Sequence, residues 1–206
     1  MALPAAKKRY TVEEYLRLEE QAVDRHEFHD GEILAMSGGS VFHGRVALNV
    51  MGELRARLKG TPCAAQGSDV RVLIPAWSRY VYPDGSVVCG EPQHDPADAS
   101  RGTLVNPRVI VEVLSPSTEG YDRGRKFEGY RTIASLQAYV LIAQDRPTVD
   151  VYARQADGVW TLSTTSGLGT VARVTAIGVE LPLAEVYATV TFPADDGSAH
   201  AHLTPA

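Results

Sequence analysis

Two acidic residues stand where an unpaired charge would be costly, and both belong to a type that binds hard cations. Glu112 interrupts Val109–Leu114 (VIVEVL), a run apolar enough to be buried on both faces of a sheet. An ionised carboxylate there costs several kcal/mol or more unless it is paired or metal-bound. Asp84 follows Pro83 in the strand-like stretch Tyr80–Val88. Alone, Pro-Asp-Gly is an ordinary turn sequence. Beside Glu112 it offers a second hard oxygen donor, and two carboxylates converging between neighbouring strands suit Mg²⁺, with Mn²⁺ as a substitute. The competing chemistry for Glu112 is an ion pair with a nearby arginine. A third group, Lys126, lies in YDRGRKFEGYR, where Asp122, Lys126 and Tyr130 share one helical face at i, i+4 and i+8. Two chemistries fit it: a surface Asp122–Lys126 pair worth a few tenths of a kcal/mol, or an ammonium aimed at the carboxylates to orient a water or neutralise a phosphate.

The elements that must position these groups follow from pattern. Thr11 and Glu14 form a capping box, so a short helix is expected from Val12 to Glu20. Asp30-Gly31 between short strand-like runs predicts a hairpin turn. Ser40–Lys59 reads as the first long helix, with Ala47, Met51, Leu54 and Leu58 as its apolar stripe and Gly60, Thr61 and Pro62 ending it. Asp69–Ile74 alternates as a strand. Residues 90–107 form the longest loop. Arg108–Leu114 and Ala138–Ala143 are buried strands, with a helix from about Asp122 to Ile133 between them. Thr148–Ala153, Val159–Ser163 and Val171–Thr175 read as an antiparallel meander, and Leu183–Val190 as a short helix or strand. Adjacent strands joined without helices exclude a fully parallel sheet. The expected class is α/β, with a central mixed sheet and additional antiparallel strands. One domain spans residues 10–190, between a flexible arm (1–9) and a disordered tail (191–206).

Composition limits the function classes. The chain has 206 residues with 44% hydrophobic and 22% charged side chains, which excludes a disordered or fibrous protein. No window approaches the 18 or so apolar residues of a membrane span, and MALPAAKKRY does not read as a signal peptide. The formal net charge of −5 argues against a tight, passive nucleic-acid binder. The acidic excess is concentrated after residue 140, where three basic side chains face seven acidic ones, so it leaves room for an enzyme that meets a phosphodiester transiently. Cys63 and Cys89 are expected to be two half-buried thiols in a reducing cytosol, and the protein to be cytoplasmic.

Together the strings YTVEEYLRLEE, RHEFHDGEI, AMSGGS followed by HGR, GSDVRV, YPDGSVVCG, NPRVIVEVLSPST, YDRG with KF and YR, and GVELPLAEVY identify a resemblance. It runs from about residue 10 to 190. The chain resembles the Uma family of bacterial endonucleases, a branch of the PD-(D/E)XK superfamily with the restriction-endonuclease-like α/β/α fold. The resemblance implies a metal-dependent endonuclease acting on DNA. Its acidic pair maps to Asp84 and Glu112 as metal ligands. Leu114 stands where the usual motif lysine would be, and the lysine is displaced to Lys126. His43 falls where the first helix of the superfamily often adds a metal-proximal group. Glu27, Glu32 and Asp69 also lie in family-like strings, as salt-bridge, turn or site residues. Arg123, Arg125 and Arg131 are phosphate contacts or solvated helix charges. Gly85 departs from the pattern and is expected to loosen the strand beside Asp84. Cutting both strands would suit a homodimer. The alternative is a non-catalytic binding module that keeps the fold with a degenerate site; a hydrolase of small phosphoesters is a further enzyme class.

Overall fold

A computed structural model describes residues 8–36 and 38–192. Residues 1–7 of the expected arm (1–9) and 193–206 of the expected tail (191–206) lie outside them. Arg9, at the end of that arm, donates to the Asp30 carbonyl at 2.8 Å. No helix among the described residues is long and apolar enough to cross a membrane.

The chain opens with α1 (Val12–Gln21), whose capping box between Thr11 and Glu14 is present as expected. The hairpin β1 (His26–His29) and β2 (Glu32–Ala35) turns through Asp30 and Gly31, both at positive φ. The long helix α2 (Val41–Arg57) is capped by Ser40. Its buried stripe is Val46, Val50 and Leu54, continued by Leu58. Ala47 and Met51, expected in that stripe, sit at its edge and are only partly buried.

Strands β3 (Cys63–Gly67), β4 (Arg71–Ile74), β5 (Arg79–Val81), β6 (Gly85–Cys89), β7 (Thr103–Leu104) and β8 (Val109–Leu114) follow. The crossover to β9 (Ala138–Ala143) carries α3 (Glu119–Tyr121), a π-helical turn (Asp122–Lys126) and α4 (Phe127–Tyr130). The helix thus starts earlier and ends sooner than its pattern predicts, with Ile133 beyond its end. Strands β10 (Thr148–Arg154) and β11 (Trp160–Ser166) extend the sheet. Val171–Val174 (β12) is not the third strand of that meander. It pairs instead with β13 (Val179–Pro182) in a separate ribbon before α5 (Leu183–Val186).

The central sheet is six-stranded, in the order β11-β10-β9-β8-β6-β3, with β8 and β9 parallel and the other neighbours antiparallel. One face of β8 (Val109, Val111, Val113) packs on α2, β12, β13 and α5. The other (Ile110, Leu114) packs on Tyr130, Ile133 and Leu136 and on Val72, Ile74 and Val81 of a second, five-stranded sheet, β2-β1-β5-β4-β7. This layering is the expected α/β arrangement around a mixed sheet.

Gly85 does not loosen its strand. A Cβ there would collide with the Met51 thioether, so the missing side chain lets α2 lie close over β6. Cys63 and Cys89 are not separate thiols. They face each other across β3 and β6 and are joined by a disulfide. The sequence Cys-Ala-Ala-Gln-Gly is poor in β-formers and hides the strand that brings them together. The bond closes a loop with a sequence separation of 26. Replacing both cysteines by serine is therefore expected to lower the unfolding free energy by about 3 kcal/mol through loop-closure entropy. Urea unfolding of the double variant, compared with the parent with and without reductant, checks this.

Candidate active site

The chain leaves the five-stranded sheet after β5 and enters the six-stranded sheet at β6. Asp84 sits at this crossing rather than within a strand, at the bend just before Gly85. Gly85 pairs with Val111, which sets Asp84 beside Glu112 at the end of the β6–β8 ladder. Asp84 Oδ2 accepts the Val113 N–H at 2.7 Å, taking a donor that the ended strand no longer uses.

His43 lies in the first turn of α2. Ser40 fixes that turn twice: its hydroxyl accepts the His43 N–H at 3.1 Å and donates to Gln144 Oε1 at 3.1 Å, just past β9. His43 Nε2 donates to Asp84 Oδ1 at 2.9 Å. This hydrogen bond raises the imidazole pKa above its ordinary value against the opposing effect of burial. Among the described residues, His43 Nδ1 is buried without a hydrogen-bond partner.

Glu112 is 4% exposed. Its partner is a lysine rather than an arginine: Lys126 Nζ lies 2.7 Å from Oε1, and the Tyr130 hydroxyl donates to the same oxygen at 2.9 Å. Lys126 is 8% exposed, so its pairing with Asp122, at 3.5 Å, is buried and not a surface pair. Burial pushes Glu112 up to about 8; the Lys126 ammonium pulls it back, while Asp84 and Asp122 push it further up. Burial disfavours the charged lysine, but Glu112, Glu27 and Asp122 outweigh it and hold the ammonium protonated. Leu114 is buried on the same face of β8, in the apolar cluster around Tyr130.

Asp84, Glu112, Lys126 and His43 all line one cleft of about 670 Å³. The same cleft takes Glu27 and His29 from β1. Glu27, which the sequence leaves open as a salt-bridge, turn or site residue, lies in the cleft; His29 is not marked by the sequence reading, although the alternation of β1 turns both away from the buried Phe28 and could have shown it. Asp69 is elsewhere, at the surface in an ion pair with Arg25, and Glu32 lies on β2. Arg123 is engaged by Glu119 at 2.8 Å and Asp150 at 2.6 Å. Arg125 and Arg131 are exposed.

Four carboxylates (Glu27, Asp84, Glu112 and Asp122) and one ammonium line the cleft. Among the described residues, no three His, Cys, Asp or Glu side chains form a metal-holding group. Two neighbouring carboxylates in an acid-rich cleft do fit a hard divalent ion that completes its shell with water and phosphate oxygens.

Known proteins agree with the fold. The chain is 39% identical over 149 residues to the "Uncharacterized protein slr1290" of Synechocystis, covering 72% of this chain and 76% of that one. It is 38% identical over 167 residues to "Uncharacterized protein sll1609" of the same organism, covering 81% and 93%. A crystal structure from Anabaena variabilis, titled as a "putative nuclease belonging to DUF820", superposes with a TM-score of 0.64 at 16% identity, over 84% of this chain and 97% of that one. That likeness shows a shared nuclease-like fold. With residues 12–184 matching its pattern, the chain belongs to the Uma2 family, described as "Putative restriction endonuclease".

Proposed function

We propose that the protein is a metal-dependent endonuclease that hydrolyses DNA phosphodiester bonds. The observation that carries this reading is the approach of Lys126 Nζ to Glu112, 2.7 Å away, in the cleft that also holds Asp84. An acid pair and a lysine converge there although the lysine comes from a helix and not from the strand.

Asp84 and Glu112 would hold the metal. A bound Mg²⁺ would acidify a water and offset the charge that builds on the phosphate. The chain supplies the rest. His43 and the Val113 N–H fix the two oxygens of Asp84. Tyr130 fixes Glu112 from below. Lys126 orients the attacking water and offers positive charge to the phosphoryl oxygens as they become more negative. Glu112 and Lys126 are themselves buried, which strengthens the interaction between them.

Supercoiled plasmid incubated with the protein and Mn²⁺ is expected to be nicked or linearised, and EDTA to abolish cleavage. Mn²⁺ binding without cleavage of DNA, RNA or small phosphodiesters would leave a binding module instead. Cleavage of small esters alone would move the substrate class.

A further inference from the structure

Glu27 is a largely buried carboxylate in the cleft that the mechanism above does not use. Its side chain is 16% exposed. Oε1 accepts the Tyr82 backbone N–H at 3.1 Å, and Oε2 is held by His29 Nε2 at 2.9 Å. Burial opposes the charge, but the bonds from His29 and Tyr82 and the field of Lys126 overcome it and lower the carboxyl pKa.

The identity of the donor matters more than the charge. Strand β5 ends at Val81, so the Tyr82 N–H falls outside the ladder. Pro83 follows and has no N–H to give. Asp84 comes next and turns its carboxylate to Val113 and His43. The three-residue crossing therefore has one backbone donor before Asp84 that can be tied down, and Glu27 takes it. The Tyr82 hydroxyl is tied separately, to Glu19 Oε1 at 2.9 Å. Phe28, the neighbour of Glu27, is 3% exposed and packs between Tyr15 and Tyr80, so the strand carrying Glu27 is itself anchored.

We propose that Glu27 is a positioning residue that holds the Tyr82–Pro83–Asp84 crossing in the conformation that presents Asp84 beside Glu112. His29 fixes the rotamer of Glu27 from the opposite oxygen. This inference rests on the endonuclease reading for its purpose, but its geometry can be tested without metal or substrate.

The Val113 N–H reports on Asp84 directly, because the Asp84 carboxylate is its acceptor. Hydrogen exchange of the Tyr82 and Val113 amides in the metal-free protein is therefore the primary measurement. Glu27→Ala removes the acceptor, and exchange at both amides is expected to accelerate by about tenfold or more, the loss of roughly one hydrogen bond. Glu27→Gln keeps a carbonyl oxygen for Tyr82, and protection at both amides is expected to return to within about threefold of the parent. Exchange in β10, which β9 separates from β8, serves as the control for general loosening. Mn²⁺ titration is the second measurement: affinity should fall about tenfold in Glu27→Ala and recover in Glu27→Gln. Unchanged Val113 protection in Glu27→Ala overturns the inference, whatever the activity. So does equal loss in both variants, since that would assign the role to charge. A parent protein that binds Mn²⁺ but cleaves no DNA would overturn the endonuclease reading instead, and would leave the exchange result decisive for Glu27.

Discussion

Replacing Lys126 by alanine is expected to lower Mn²⁺-dependent plasmid cleavage by about 10²- to 10³-fold, the usual cost of deleting one preorganised charge at a developing oxyanion. Mn²⁺ binding should survive, because the proposed ligands are Asp84 and Glu112. Lys126 is the lysine that lines the cleft, and its ammonium lies between Glu112 and Asp122. Leu114, the β8 neighbour on the same face, is apolar and buried, and cannot take its place. Breaking a buried ion pair by removing one partner usually costs about 3–5 kcal/mol. Here the cost is smaller at neutral pH, since Glu112 can keep its proton when the lysine is gone. Lys126→Met retains most of the side-chain volume and separates a folding defect from a chemical one. Steady-state nicking assays with calorimetric Mn²⁺ titration on both variants check the prediction. Full cleavage by Lys126→Ala would return the residue to a structural ion pair.

The second large effect is on pH. Glu112 is raised by burial to about 8, far above the carboxylate range of an unfolded chain. Between roughly pH 4.5 and 8 the native protein then holds one more proton at this site than the unfolded chain does. Its contribution to stability is complete below the unfolded value and is lost as pH rises through the folded one. The metal-free protein should therefore lose stability from pH 5 to pH 8. A displacement of this size corresponds to a linked free energy on the order of 4 kcal/mol at pH 8. Glu112→Gln removes the slope. It also gives up the contact with Lys126 throughout this range, so the expected result is a flat stability profile where the parent declines. Urea unfolding of both proteins across this range checks it. A metal ligand must shed its proton. Mn²⁺ binding near pH 7 is accordingly expected to release close to one proton, seen as a dependence of the binding enthalpy on the buffer. Glu112→Gln should show neither the binding nor the release.

Much of this site was legible because burial and charge conflict in it. Glu112 stood out for being the one acid in VIVEVL, and the spacing of Asp122, Lys126 and Tyr130 placed three polar groups on one side of a helix. The structure brings Glu112, Asp122 and Lys126 to one cleft with Asp84 and His43, while Tyr130 stays in the core and reaches Glu112 with its hydroxyl. Less legible were the features made by pairing between distant segments. Nothing in Cys-Ala-Ala-Gln-Gly announces a strand, so the disulfide was hidden until β3 met β6. Tyr80–Val88 reads as one strand interrupted by Pro83, and at that interruption the chain changes sheet, because the partners of β5 and β6 lie in distant segments that local pattern does not contain. Val171–Val174 is as strand-like as its neighbours, and which partner it takes depends on the turn at Gly178, where φ is +65°. Gly85 looked like a weakness because the helix lying over it is 34 residues away in sequence, at Met51.

The π-helical turn at Asp122–Lys126 makes the length of this segment a fixed quantity. Before the turn, Glu119 binds Arg123 and Arg146. After it, Phe127 sits against Tyr139, Tyr152 and Trp160, with ring centroids 5.7, 4.4 and 5.4 Å away. Each end has its own anchor, and the wide turn takes up the one residue by which the segment exceeds a plain α-helix of the same span. Winding the same residues as a plain α-helix would turn everything beyond Gly124 by about 100° relative to everything before it. Either the aromatic anchor or the ammonium could then face its partner, but not both. Substitutions on the exposed side of this segment should be absorbed with little effect, whereas a further inserted residue should not.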